Sequence, residues 1–313
     1  MGAIAAIFVN KSEKRLRAGW RILIHLIALI AFGLLAGFAA SQIPNRAIGE
    51  SVYALLYLAA TVGATWLIAR YIDRRRFAAY GFNFSGGWWV DLMFGLVLGA
   101  VLMSGIVFAM IHAGWATLSE VSVTNLDLPI VAAFAVQVLS LIVVGINEEL
   151  VFRGYHLRNI SEGFSRFGTN AAIIIALIIS SSFFGVVHLA NEAGGGAHTT
   201  PLALLNLVLA GLMLAVPFLL TGELAIPIGI HITWNLFQGP VFGLAVSGME
   251  SETRLITVNP FGPELWTGGA YGAEGGLLAT IAVGASLVIS AIWIAMRKKE
   301  LRLEPSVATY TPR

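Results

Sequence analysis

The chain has 313 residues, of which 58% are hydrophobic and only 12% are charged. An average soluble domain carries about 25% charged residues, so this composition excludes an ordinary soluble fold and predicts a membrane protein. The chain contains no cysteine. Disulfides, thiolate metal sites and a cysteine nucleophile are therefore excluded.

Apolar stretches close to 20 residues long predict about eight transmembrane helices, and hence an all-α, multi-spanning helical bundle. Gly33 with Gly37, and Gly95 with Gly99, have the spacing that allows two helices to pack closely. We expect a basic segment over 1–21, one membrane domain over 22–297 and a tail over 298–313. The predicted spans are 22–40, 51–70, 92–112, 129–146, 171–190, 202–220, 224–246 and 275–296.

The basic residues alternate between the predicted loops. Seventeen of the 19 Lys and Arg residues fall on one side of the membrane, which leaves Arg46 and Arg254 on the other. Basic loops favour the cytoplasm, so both termini are predicted to be cytoplasmic, in the plasma membrane of a prokaryote. These residues cluster at membrane edges and not on one nucleic-acid-binding face, so we expect no nucleic-acid partner.

Two adjacent carboxylates follow the fourth apolar stretch. Ionisable groups within membrane-length sequence are costly and usually mark a functional site. In a continuous helix Glu149 and Arg153 are i,i+4 neighbours that can pair, while Glu148 points about 100° away. We therefore expect Glu149 to be an ionised supporting group. A desolvated Glu148 would suit general-base catalysis, although a solvated helix end at the membrane surface explains the pair equally well.

Two further stretches contribute polar side chains at helical spacing. Phe184 and His188 share one helical face, as do His231 and Asn235. An amide is a poor zinc ligand and a good oxyanion donor, so the second pair suggests stabilisation of an oxyanion. Taken alone, each pair could equally serve helix packing through internal hydrogen bonds.

The three elements, in this order on separate spans, resemble the signature of the CPBP intramembrane proteases, also called the ABI family, which include the type II CAAX prenyl endopeptidases. The resemblance covers about 131–238. The matching positions are Glu148, Glu149 and Arg153, then Phe184 and His188, then His231 and Asn235.

The resemblance implies hydrolysis of a peptide bond within the membrane, with a peptide or protein substrate and the lipid bilayer as partners. It implies that Glu148 and His188 activate water, that His231 and Asn235 stabilise the oxyanion, and that Glu149 and Arg153 support the site. No cofactor is certain. A zinc ion on Glu148, His188 and His231, with an open coordination position, is compatible with the sequence, as is a glutamate-activated water without metal.

Two other functions use the same residues: a transporter or proton relay, and a scaffold or immunity protein without turnover. The absence of inverted repeats counts against transport. The predicted spans also conflict over the depth of His188 relative to Glu148 and His231. Glu148 and His231 are expected toward the cytoplasmic side, whereas His188 follows Ala171 by 17 residues, or about 26 Å of helix, toward the opposite side.

Overall fold

The structure is a computed structural model that describes residues 7–10 and 12–312. Two basic residues of the charge pattern, Lys11 and Arg313, lie outside this range, as does the start of the predicted segment 1–21. The helices are α1 (Ala18–Ser41), α2 (Arg46–Ile68), α3 (Gly86–His112), α4 (Ile130–Glu148), α5 (Arg158–Gly163), α6 (Thr169–Val187), α7 (Leu189–Ala193), α8 (Pro201–Thr221), α9 (Ala225–Leu236), α10 (Glu264–Thr267) and α11 (Leu277–Lys298).

Three segments continue these helices in the wider π-helical geometry. Ala69–Asp73 extends α2, Glu149–Leu157 joins α4 to α5, and Phe237–Val241 follows α9. Short 3₁₀ turns occupy Phe77–Tyr80, Ser165–Phe167, Gly269–Tyr271, Ala273–Gly275 and Pro305–Val307. Because of the second π segment, the helical unit that begins at Ile130 runs without a break to Gly163.

Within the described range, seven helices are long and apolar enough to cross a membrane. The expectation of an all-α, multi-spanning bundle is therefore confirmed. The predicted span 224–246 differs from the structure, because its helix α9 has only 12 residues and gives way to a π segment and a loop. Nearly all of α9 is buried among the other helices. An apolar run that is buried in protein on every side looks like a lipid-facing span in a hydropathy scan.

Side chains and glycine fix where the helices begin and end. Asn45, Ser85 and Thr200 precede α2, α3 and α8, and each side chain accepts a hydrogen bond from a backbone N–H in the first turn. Gly222 ends α8 with φ of 76°, a conformation that only glycine adopts without strain. These caps satisfy backbone groups that would otherwise be unpaired at the helix ends.

Two short sheets lie outside the helices. Strands β1 (Val9–Asn10) and β2 (Arg15–Leu16) pair antiparallel before α1. Strands β3 (Ala116–Thr124) and β4 (Thr253–Pro260) pair antiparallel in a register that runs from Ala116 opposite Pro260 to Thr124 opposite Thr253. We call the end of the bundle that carries β3 and β4 the sheet end.

The opposite end, where α1, α3, α6 and α9 begin, contains a buried ion cluster. The carboxylate of Glu162 accepts hydrogen bonds from Arg15 at 2.6 Å, from Arg21 at 3.2 Å and from Arg75. Asp73 adds a second carboxylate 3.4 Å from Arg21. All five side chains are buried. The cluster joins the segment before α1, the loop after α2 and the end of α5, and we call this end the basic end.

The core is organised around close contact between α3 and α9. A Cβ atom built on Gly95 or Gly99 would overlap backbone atoms of α9, and one on Gly229 would lie 2.5 Å from the carbonyl oxygen of Leu92. The predicted close packing at Gly95 and Gly99 is thus present. At Gly33 a Cβ would meet Tyr57 at an ordinary 3.4 Å, so the contact between α1 and α2 is looser.

We predict that Gly99→Ala lowers the thermal stability of the purified protein by the equivalent of about 1 to 3 kcal/mol, because α3 and α9 must separate to admit the methyl group. Gly105 is the matched control, since it lies in the same helix and a Cβ there meets nothing within 4 Å. Thermal unfolding in detergent, followed by tryptophan fluorescence, measures both variants. Equal melting temperatures for the two variants would contradict the packing argument.

Candidate active site

The site is built around a buried ion pair at the junction of α4 and the following π segment. Nη1 of Arg153 donates a hydrogen bond to Oε1 of Glu149 at 2.8 Å, and both side chains are almost completely buried. Arg153 also donates to the carbonyl oxygen of Gly211 at 3.3 Å and lies 4.2 Å from the ring centre of Phe184. The pairing expected from the i,i+4 spacing is therefore present, and Phe184 packs against its cation.

His231 is the second group attached to this pair. Its Nδ1 lies 2.8 Å from Oε1 of Glu149. An ionised carboxylate can only accept, so Nδ1 carries the proton and donates it. The other ring nitrogen, Nε2, then faces Glu148, with 3.8 Å between Nε2 and Oε2. Glu149 thus sets both the tautomer and the orientation of the ring.

His188 approaches Glu148 from the end of α6. Its Nδ1 donates to the carbonyl oxygen of Phe184, one helical turn earlier, at 2.7 Å. This bond turns Nε2 of His188 toward Oε2 of Glu148, at 4.0 Å. The ring of Phe184 lies 4.6 Å from the ring of His188, centre to centre, and restricts its rotation.

Glu148 lies between the two imidazoles. Its side chain is 29% exposed, yet its Oε2 atom is closed to solvent and has no hydrogen-bond partner within the described part of the chain. Asn235, one turn after His231, lines the same cavity of about 280 Å³. The structure therefore brings together all seven residues that the sequence singled out: Glu148, Glu149, Arg153, Phe184, His188, His231 and Asn235.

The geometry removes the conflict over depth. Because the unit from Ile130 runs to Gly163, Glu148 stands near its middle. His188 lies at the far end of α6, where it meets this mid-level of the longer unit. The prediction that Glu148 lies toward the cytoplasmic side stays a prediction, and the chain after Ile146 continues as a buried helix.

The cavity extends from Glu148 toward the sheet end of the bundle. Its lining includes Gln137 of α4, Leu207 of α8 and residues of the loop after α9. We call the part of the lining in this loop the mouth, because it includes exposed side chains. The mouth residues are Val246, Ser247, Met249, Glu250 and Ser251, and Met249 and Glu250 are exposed.

Glu274 also lines the cavity, and the sequence did not indicate it. It lies in the glycine-rich loop before α11, and its Oε1 accepts a hydrogen bond from the backbone N–H of Ser247. The side chain of Asn206 holds the loop by donating to two of its carbonyl oxygens, those of Glu274 and Gly276, each at 2.9 Å. Burial raises the pKa of Glu274, while the bond from Ser247 and the nearby His188 oppose this. A cation in the cavity would therefore favour its ionisation.

Tyr57 of α2 is a second residue that the sequence did not indicate, and it interacts electrostatically with Glu148. Neither Tyr57 nor Glu274 belongs to a local motif. Only the tertiary fold brings Glu274 to the cavity and Tyr57 within electrostatic range of Glu148, so no spacing rule in the sequence could have found them.

The donor types at the site suit zinc, but their present spacing does not. Tetrahedral ligands with bonds of about 2.0 to 2.2 Å lie about 3.4 Å from one another. Glu148 stands 3.8 and 4.0 Å from the two imidazole nitrogens, and within the described range no three His, Asp or Glu side chains converge closely enough to hold an ion. We derive no chemical step through a metal.

Comparison with known families assigns the class of protein. Residues 129–237 match the family model described as Type II CAAX prenyl endopeptidase Rce1-like, nearly the range over which the motifs were recognised. This match supports membership of the CPBP family and, at family level, an integral membrane endopeptidase that acts on a peptide or protein. Neither the curated proteins nor the solved structures give a significant match.

We predict that Arg153→Met destabilises the protein by about 3 to 5 kcal/mol, because Glu149 keeps a buried charge without its cation. The double variant Arg153→Met with Glu149→Leu removes both charges and should recover at least half of the loss. Thermal unfolding of the two variants beside wild type measures this difference. A double variant no more stable than Arg153→Met would contradict the assignment of the pair as mutually compensating.

Proposed function

We propose that the protein is an intramembrane endopeptidase of the CAAX-processing type, in which Glu148 and His188 activate a water molecule and His231 with Asn235 stabilises the oxyanion. One observation carries this proposal above the others. The unpartnered Oε2 of Glu148 faces the Nε2 atoms of two imidazoles whose other nitrogens are already fixed by hydrogen bonds. Such a group of acceptors requires a proton donor among them.

Charge balance supports an assignment of that proton. With both imidazoles neutral, Glu148, Glu149 and Arg153 sum to one negative charge in a low-dielectric interior, where an uncompensated charge is costly. His231 is flanked by both carboxylates, at 2.8 Å from Glu149 and 3.8 Å from Glu148, whereas His188 lies 4.0 Å from Glu148 and has Glu274 nearby. An imidazolium at His231 makes the group neutral overall. It then donates from both nitrogens, as oxyanion stabilisation requires.

His188 keeps its lone pair at Nε2, because Phe184 accepts the proton of Nδ1. Distances near 4 Å between acceptors are compatible with a bridging water. Such a water donates one hydrogen to Oε2 of Glu148 and the other to Nε2 of His188, and its oxygen lone pair is directed into the cavity. Glu148 takes the first proton as the water oxygen bonds to the scissile carbonyl carbon, and it later gives this proton to the amine that leaves.

The carbonyl oxygen becomes negatively charged during this step. His231 donates Nε2–H to it, and the amide of Asn235 supplies a second donor from the same helical face. Glu149, Arg153 and Phe184 take no part in bond making. They hold the two imidazoles in position, so we regard them as positioning residues.

The wider arrangement belongs to the same proposal. We propose a cytoplasmic segment over 1–21, a membrane domain over 22–297 with its protease core at 131–238, and a cytoplasmic tail over 298–313. Both termini would face the cytoplasm of a prokaryotic cell, since the basic residues gather at one end of the bundle.

The test is cleavage of a proteome-derived peptide library, together with prenylated peptides, by protein purified in detergent. We expect Glu148→Gln to lower the cleavage rate at least about a hundredfold, as is typical for loss of a general base. Its melting temperature should change little, because Oε2 has no partner to lose. Glu120→Gln, in the exposed strand β3, is the control and should cleave like wild type.

Each reaction is run with and without a strong chelator. Cleavage that survives the chelator but is lost in Glu148→Gln supports the proposed water activation. Loss of wild-type cleavage in the chelator shows a metal requirement and overturns the metal-free step. Full activity of a folded Glu148→Gln variant contradicts the proposal, and proton-coupled flux without hydrolysis would favour a transporter instead.

A further inference from the structure

The two ends of the bundle differ strongly in charge. Fourteen Lys and Arg residues in the described range lie at the basic end, on or beyond the helix termini that meet there. The sheet end carries eight carboxylates and only Arg46 and Arg254 as cations. The eight are Glu50, Glu120, Asp127, Glu192, Glu250, Glu252, Glu264 and Glu274.

Tryptophan residues near these two ends lie about one membrane thickness apart. Trp89 lies at the start of α3 and is half exposed, while Trp115 follows the end of α3 and packs beside Trp266. Helix α3 has 27 residues, or about 40 Å, which matches a bilayer with its headgroup regions. Tryptophan is enriched at both interfaces. The basic end and the sheet end therefore correspond to opposite membrane surfaces.

The mouth of the cavity belongs to the sheet end. Glu252 follows the mouth residues directly, bonds to Arg46 at the start of α2 and accepts a hydrogen bond from Asn125 through its backbone carbonyl. These contacts tie the mouth to β3 and β4. A cytoplasmic basic end consequently places the mouth on the non-cytoplasmic side of the membrane.

The lining of the cavity carries its excess negative charge outside the catalytic group. The charge of Glu148 at the base is balanced within that group by the proposed imidazolium of His231. Glu274 on the wall and Glu250 at the mouth have no Lys or Arg beside them among the described lining residues. Among the described residues, Oε2 of Glu148 has no hydrogen-bond partner. Asn206 fixes the loop that carries Glu274. Low-dielectric walls of one sign of charge attract a ligand of the opposite sign.

We propose that the cavity takes its substrate from the non-cytoplasmic side, and that this substrate is a peptide segment with a Lys or Arg side chain close to the scissile bond. The inference rests on the proposed function, because it concerns the same cavity. The proposed substrate differs from a cytoplasmic peptide terminus in two respects: it enters from the other side of the membrane, and it carries a positive charge near the scissile bond. At about 280 Å³, the cavity accommodates a few side chains and not a folded domain.

The side of entry is tested by labelling single cysteines in intact cells, for which the cysteine-free chain is well suited. Leu118 in β3 and Leu301 after α11 are matched positions, exposed by 59% and 55%, at opposite ends of the bundle. We expect a membrane-impermeant maleimide to label Leu118→Cys before lysis and Leu301→Cys only after lysis. Any other pattern overturns the assignment of the mouth.

The charge of the substrate is tested with peptide sets that differ at one position near the cleaved bond, which holds Lys, norleucine or Glu. We expect kcat/KM for Lys to exceed that for norleucine by about fivefold to tenfold, and Glu to be the poorest of the three. High salt should reduce the preference. Glu250→Lys should remove it or reverse it toward the acidic peptide.

Glu252→Gln is the matched control, since Glu252 stands two residues from Glu250 but bonds to Arg46 and does not line the cavity. It should keep the preference of the wild type. Cleavage without charge preference, or with a preference unchanged by Glu250→Lys, overturns this inference and leaves the endopeptidase intact. Loss of all cleavage in Glu148→Gln, together with a charge preference in the wild type, supports the proposed function and this inference. If the wild type cleaves no peptide, the proposed function itself is contradicted.

Discussion

The arrangement of this site depends on one buried ion pair. Arg153 compensates the charge of Glu149, and Glu149 in turn holds His231 by Nδ1. The same guanidinium packs on the ring of Phe184, and this ring lies 4.6 Å from the ring of His188, centre to centre. One salt bridge therefore orients both imidazoles through different atoms. A charge pair this deep gains little net stability over an apolar pair, so the orientation that it imposes on its neighbours is a better account of its presence.

Local spacing was sufficient to predict much of the site. The i,i+4 pairs at Glu149 with Arg153 and at Phe184 with His188 read correctly from sequence, because a helix fixes which side chains share a face. The multi-spanning bundle followed from hydropathy alone. The predicted span 224–246 did not, because a buried helix and a lipid-facing helix have the same composition. Glu274 also escaped prediction, since only the tertiary fold brings its loop to the cavity.

The family and the structure constrain the function at different levels. The match over residues 129–237 supports a membrane endopeptidase family, while α1, α2, α3 and α11 lie outside it. Those outer parts supply the arginines and Asp73 of the ion cluster, whose central Glu162 lies inside the match, and both strands at the sheet end. They determine how the protease core sits between two chemically different surfaces, and substrate access depends on this placement.

The π segment Glu149–Leu157 connects the site to the ion cluster around Glu162 along a single helical unit. Its i→i+5 bonding accommodates more residues per turn than an α-helix does. A change of this segment to α geometry, with the same number of residues, would turn the chain beyond it relative to α4. The catalytic carboxylates and the ion cluster could then not both keep their partners. The π geometry of this segment thus couples the position of the site to that of the ion cluster.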